Sequence, residues 1–193
     1  MSSPFRLLIG LGNPGPRYAG TRHNIGFLVI DRYASARSAS WEASRQGHAR
    51  VARCGEVWLM KPETFMNRSG EAVAAFTRFH KITAEEILLV FDDLDLPAGK
   101  LRLRDGGGSA GHRGVSSVCE NLGTKQVARL RFGIGRPAGR IAIEDFVLQD
   151  FGPEEWHDAI VPAIERACEA LACTMTSGFE TAKNQFNPQA QPS

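Results

Sequence analysis

The sequence predicts a single-domain α/β/α sandwich around a mixed, mostly parallel twisted sheet, on three observations. Short apolar runs alternate with segments of helical periodicity. Two of the runs, Phe5–Ile9 and Ile87–Phe91, are almost wholly apolar, as strands covered on both faces require. The chain has 193 residues, 42% of them hydrophobic and 23% charged, which suits one core. Residues 1–186 are expected to form the domain, and the polar stretch 187–193 a frayed tail.

In chain order, Gly10 ends the first strand, and a Gly- and Pro-rich loop follows to Gly20. Ile25, Leu28, Val29 and Tyr33 then repeat at helical spacing, with Asn24 as a plausible N-cap. Gln46–Cys54 and Glu56–Met60 read as a hairpin around Gly55. In a helix over Ser69–His80, Val73, Phe76 and Phe79 give the apolar face. After the second apolar strand, Lys100-Leu101-Arg102-Leu103-Arg104 alternates as a half-exposed strand with a basic face. A glycine loop at 106–111, a helix over Val115–Leu122 and a strand over Arg129–Ile134 follow. The last third is helical, opened by Gly152-Pro153-Glu154-Glu155.

In an open α/β sheet, ligands bind beyond the carboxyl ends of the strands. Two polar loops occupy that position, around Asn13 after the first strand and around Asp92 and Asp93 after the second. If those strands are parallel neighbours, Asn13, His23 and Asp92 converge. A carboxylate bonded to one ring nitrogen of His23 would fix its tautomer and make the other nitrogen a base for water. The alternative is that Asp92 and Asp93 merely solvate a turn before Pro97, and that Asn13 and Asn67 are turn formers. In a site, the two amides would bind a peptide group and a developing oxyanion.

Gly10-Leu-Gly12-Asn-Pro-Gly15 matches a dinucleotide fingerprint, with Asp31 downstream. Pro14 and Pro16 stand where the phosphate-binding helical turn would begin, and residues before proline avoid helical angles. The oxidoreductase reading is therefore disfavoured. The cysteines Cys54, Cys119, Cys168 and Cys173 form no C-x-x-C pair and no zinc spacing, as expected of thiols in a reducing cytoplasm. No run is long enough to span a membrane, and the apolar run near the N-terminus is too short for a signal peptide.

The net charge of +2 is unevenly spread. Residues 100–140 hold nine Lys/Arg against two Asp/Glu, and residues 141–193 hold two against nine. That asymmetry fits contact with a polyanion, or a surface on which the fold mixes the charges.

Five blocks then resemble, in order, the bacterial-type peptidyl-tRNA hydrolases. They are Leu8-Ile-Gly-Leu-Gly-Asn-Pro-Gly-x-x-Tyr18-x-x-Thr-Arg-His23-Asn-Ile-Gly26, Lys61-Pro-x-Thr-Phe65-Met66-Asn67-x-Ser-Gly70 and Asp92-Asp-Leu-Asp-Leu-Pro97-x-Gly99, followed by Gly106-Gly-Gly-x-x-Gly-His112-x-Gly114 and Arg129-Leu-Arg131-x-Gly-Ile-Gly135. The resemblance runs from Leu7 to Phe186. It implies hydrolysis of the ester between an N-blocked peptide and the 3′ ribose of tRNA, recycling peptidyl-tRNA that ribosomes drop. It assigns His23 as general base and Asp92 as the group that holds it in its basic form. Asn13 distinguishes the blocked substrate, Asn67 with Phe65 and Met66 holds the peptide and the 3′ end, and Tyr18 lines the tRNA end.

His112 and Arg113 are expected to contact substrate. Arg113 departs from the family, which usually has Asn there, and could serve a phosphate or an oxyanion. Arg102, Arg104, Arg113 and Arg131 are expected to grip tRNA phosphates. The expected partner is tRNA alone, with no membrane, no obligate protein partner, no metal and no cofactor, for a cytoplasmic monomer. The rival is a non-catalytic RNA-binding relative that keeps tRNA affinity without hydrolysis.

Overall fold

The computed structural model describes residues 4–187. Its strands are β1 (Leu7–Gly10), β2 (Glu42–Ala43), β3 (Ala49–Cys54), β4 (Val57–Pro62), β5 (Ile87–Asp93), β6 (Leu101–Arg104) and β7 (Ala128–Gly133). They form one seven-stranded sheet in the order β2-β3-β4-β1-β5-β7-β6. The central strands β4, β1, β5 and β7 run parallel. Antiparallel pairs close both sides, β2 with β3, β3 with β4 and β6 with β7. The sheet is mixed with a parallel centre, as the solid apolar strands predict.

Two layers of helix cover it. Helices α1 (Ile25–Ser35), α6 (Val161–Ser177) and α7 (Phe179–Phe186) pack on the face carrying Leu8, Leu88, Val90 and Leu130. Helices α2 (Ser69–His80) and α3 (Arg113–Leu122) pack on the face carrying Leu7, Ile9, Leu89 and Phe91. Alternate residues of β1 and β5 therefore serve opposite cores, and both strands must be apolar throughout.

The predicted hairpin is β3–β4, turned by Gly55 at φ +60°. The basic strand is β6, with Leu101 and Leu103 buried and Arg104 exposed. Two elements carry no clear local signal. The segment Ile143–Val147 forms a short helix, α4, and a π-helical turn over Trp156–Ile160 joins α5 (Pro153–Glu155) to α6.

The chain end needs one correction. Asn187, placed by sequence in the frayed tail, is tied to edge strand β6. Its Oδ1 accepts from the Leu103 amide at 2.6 Å, and its Nδ2 donates to the Leu103 carbonyl at 3.1 Å. An amide side chain can complete both backbone bonds of one edge residue, as a neighbouring strand would. The remainder of that predicted tail, 188–193, lies outside the described residues.

The N-terminus of α1 rests directly on β1 and β5. A Cβ at Gly26 would meet the Val90 carbonyl oxygen at 2.3 Å and the Leu11 amide nitrogen at 2.5 Å. Only glycine allows that approach, and it brings the residues just before α1 over the end of β5.

Candidate active site

The carboxyl ends of β4, β1 and β5 point the same way and are adjacent. Three loops therefore meet there, carrying Met66 and Asn67, Asn13 and His23, and Asp92 and Asp93. The N-terminus of α3 adds His112 and Arg113 from the other face. The convergence expected from sequence is present, and a fourth group, His112, joins it.

Asp92 is 3% exposed. Its carboxylate faces His23 Nδ1 at 2.8 Å from Oδ1 and 3.0 Å from Oδ2. Its Oδ1 also lies 2.9 Å from His112 Nε2. An ionised carboxylate only accepts hydrogen bonds, so both facing nitrogens carry hydrogen. His112 Nδ1 in turn accepts from the Val115 amide at 3.2 Å, capping α3. His112 is thereby fixed as the Nε2–H tautomer and His23 as the Nδ1–H tautomer. The unprotonated nitrogen of His23 is Nε2, and His23 lines the cavity. Burial alone would raise the Asp92 carboxyl, but the electrostatic attraction and hydrogen bonds of the two ring N–H groups that face it hold it well below the usual carboxylate range.

Asn13 is held on two sides. Its backbone amide donates to Asn24 Oδ1 and its carbonyl accepts from Asn24 Nδ2, both at 2.9 Å. Its Oδ1 accepts from the Met66 amide at 2.8 Å. That orients the side chain and leaves Nδ2 without a partner among the described residues. Asn24 makes no side-chain cap on α1, contrary to the sequence expectation. Two backbone bonds to the Asn13 loop replace the cap.

The cavity in front of these groups has a volume of about 610 Å³. Asn13, His23, Phe65, Met66, Asn67 and Asp92 line one part, with His112 and Arg113 beside them. Ile143, Glu144, Val147 and Leu148 of the α4 segment line another part of it. Phe65, Ile143 and Leu148 are among the few large apolar side chains left exposed, and all three belong to this cleft. Tyr18 lies apart from the cavity lining, in a 3-10 turn with the Arg17 guanidinium 5.0 Å over its ring.

The basic block separates into distinct roles. Arg129 is 2% exposed and ties the glycine loop, through the Gly108 carbonyl, to the segment before β7, through the Lys125 and Val127 carbonyls. Arg131 pairs with the buried Asp93 carboxylate, which leaves its charge neutralised where free phosphate contact was expected. Arg136 pairs with Asp95 at 2.6 Å, and Arg113 with Glu144 at a loose 3.8 Å across the cleft. Arg102 and Arg104 form no ion pair among the described residues. They share the face of the β6–β7 pair that carries Arg129 and Arg131.

The roles of three residues are not visible in the sequence. Asn24 has the pattern of a cap. His112 falls in its loop without a link to Asp92. Arg22 carries no local signal of its own. The donor atoms of His23, Asp92 and His112 lie within 4.8 Å of one another, a set with metal-ligating chemistry. In the tautomers above, the two nitrogens facing Asp92 are occupied by the hydrogens of its hydrogen bonds.

A histidine held by a buried carboxylate at the carboxyl end of a mixed α/β sheet, facing an amide-lined cleft, defines a hydrolase. The family follows from three comparisons. The peptidyl-tRNA hydrolase family profile matches residues 7–193. A peptidyl-tRNA hydrolase of Dehalococcoides mccartyi is 49% identical over 189 residues, 94% of this chain and 99% of that protein. One of Symbiobacterium thermophilum is 46% identical over 187 residues, 94% of this chain and 98% of that protein. The crystal structure of peptidyl-tRNA hydrolase from Acinetobacter baumannii superposes with a TM-score of 0.90 at 33% identity, covering 100% of this chain and 99% of that one. The chain belongs to the peptidyl-tRNA hydrolase family.

The depressed Asp92 carboxyl has a consequence for stability. Its contribution is complete above the unfolded-state value of about 3.9 and is lost as pH falls through the lower folded-state value. Asp92→Asn removes that linkage. In urea unfolding, the wild-type advantage over the variant should shrink as pH falls below about 4. A difference that stays constant through the acid range would contradict the assignment.

Proposed function

We propose that this chain hydrolyses the ester between an N-blocked peptide and the 3′ ribose of tRNA, with His23 as general base. The observation that carries this reading is the bond from His23 Nδ1 to the buried Asp92, which leaves Nε2 free beside the cleft. Nε2 takes a proton from water as its oxygen attacks the ester carbonyl carbon. The tetrahedral intermediate then breaks its bond to the ribose 3′ oxygen, and the His23 imidazolium protonates that oxygen. Asp92 keeps the ring oriented and offsets its transient charge. No covalent intermediate and no metal is needed for an ester of this kind.

Asn13 and Asn67 are the amides of the site. Asn13 Oδ1 is occupied by Met66, so Asn13 presents a donor, Nδ2, to a carbonyl of the substrate. Asn67 stands exposed on the same cavity and serves the peptide or the oxyanion. A free α-ammonium would meet donors where it needs acceptors, which favours a blocked amine. Phe65 and Met66 pack the peptide, and His112 supports the substrate side through Asp92. Arg113 offers a cation at the rim, where a phosphate can displace the loosely bound Glu144. Tyr18, off the cavity, meets the tRNA end.

Arg102 and Arg104 are the cations of the β6 edge best placed for tRNA phosphates. Arg131 contributes less, because Asp93 already neutralises it. The reaction belongs where ribosomes release peptidyl-tRNA, in the cytoplasm, with a monomer as the working unit. No helix among the described residues is long and apolar enough to cross a membrane.

The reading is tested by release of N-acetyl-aminoacyl groups from tRNA. His23→Ala should lower kcat by about 10²–10⁴-fold, the usual scale of a general base, with tRNA affinity retained. Wild-type turnover in that variant would remove His23 from the mechanism. A wild-type protein that binds tRNA without hydrolysing it would favour the non-catalytic relative. Replacing Arg102 and Arg104 together by Ala should raise KM with little change in kcat. It should also reduce the salt slope of binding by about 2, because each arginine neutralises one phosphate. An unchanged slope would move the tRNA footprint elsewhere.

A further inference from the structure

Arg22 precedes His23 in sequence, yet its side chain points away from the cleft. The residue is 8% exposed. Its two terminal nitrogens meet both carboxylate oxygens of Glu155, at 2.6 and 2.7 Å. Its guanidinium also lies over two rings, 4.5 Å from the Phe146 centroid and 4.7 Å from that of Phe151. Its Nε is buried and has no hydrogen-bond partner. The backbone adds to the grip, because the Arg22 amide donates to the Gln149 carbonyl at 3.0 Å and Thr21 bridges to Asp150. Residues 21–22 thus fasten to residues 146–155 through a bidentate ion pair, two cation–π contacts and backbone bonds.

Both fastened segments lead into residues that line the site. Arg22, His23 and Asn24 form a single 3-10 turn, so the position of the base follows that of Arg22. Phe146 belongs to α4, whose Ile143 and Val147, with Leu148, line the cleft. A lysine could keep the charge of Arg22. It could not keep the planar fork to Glu155 or the guanidinium contacts with the two rings.

We propose that Arg22 is a positioning residue that locks the cleft wall of residues 143–148 to the turn bearing His23, so that a peptide seated on Ile143, Val147 and Leu148 sets the position of the base. The proposal rests on His23 acting as the base. It goes beyond that reading by coupling the peptide contact to catalysis through a side chain that touches no substrate. A peptide that fills the wall then raises kcat as well as lowering KM.

The test is a cycle of kcat and KM measurements on a peptidyl-tRNA bearing an apolar tripeptide, at a temperature well below unfolding. Arg22→Lys should lower kcat by about 10- to 100-fold, the scale of a misplaced reacting group. Glu155→Gln, which keeps the volume of the side chain, should act in the same direction to a smaller extent. In the wild-type background, Leu148→Ala should raise KM and lower kcat. In either the Arg22→Lys or the Glu155→Gln background, it should raise KM alone, because the link is already broken. Unchanged kcat in the two single variants, with only a lowered Tm, would make Arg22 purely structural and overturn the proposal. A Leu148→Ala effect on kcat that is identical in all backgrounds would overturn it as well. His23→Ala run alongside separates the cases, since activity in that variant sinks the base assignment itself.

Discussion

A buried carboxylate shared by two imidazoles is the constraint on which the rest of the site depends. A lone ionised carboxylate at 3% exposure would be strongly unfavourable. Asp92 is kept ionised because His23 and His112 both donate to it, and that requires three separate segments to meet at one point. The carboxyl end of β5 brings the carboxylate, the turn before α1 brings His23, and the N-terminus of α3 brings His112. The close seating of Gly26 on Val90 and Leu11 allows the first two to meet. The capping bond from the Val115 amide to His112 Nδ1 orients the third. The two rings are not equivalent as a result. His112 has both nitrogens engaged within the protein, whereas His23 keeps one for chemistry.

The sheet and most helices are readable from sequence because their signals are local. The apolar runs at β1 and β5 and the alternation at Leu101–Arg104 each declare an element within a few residues. The meeting of Asn13, His23 and Asp92 is readable through one further rule, that parallel neighbours end on the same side. What escapes are contacts that depend on tertiary geometry. Asn24 has the residue type and place of an N-cap, and nothing nearby in sequence shows that its amide serves the Asn13 backbone 11 residues earlier. His112 gives no sign of reaching Asp92, 20 residues before it. Arg22 and Glu155, 133 residues apart, share no local pattern at all. The α4 helix is only five residues long, too short for periodicity to register.

The charge distribution also changes meaning in three dimensions. A basic run of sequence implies a basic surface only where its partners are absent. Arg129 is used inside the fold, and Asp93 occupies Arg131. Arg136 and Arg113 answer to Asp95 and Glu144 at the cleft. The acidic C-terminal third supplies the partners of three cations placed earlier in the chain, Glu144 for Arg113, Glu155 for Arg22 and Glu165 for Arg32. The compensation that brings the net charge close to zero is therefore partly a set of working contacts. The unpaired remainder, centred on Arg102 and Arg104, is a compact edge.

The tautomers of two histidines decide whether this site can activate water. Long-range nitrogen–proton NMR spectra of the imidazoles at neutral pH would resolve them. The structure predicts hydrogen on Nδ1 of His23 and on Nε2 of His112, with Nε2 of His23 bare. Hydrogen on Nε2 of His23 in the resting protein would contradict it, because the ring nitrogen not facing Asp92 could then not accept a proton from water.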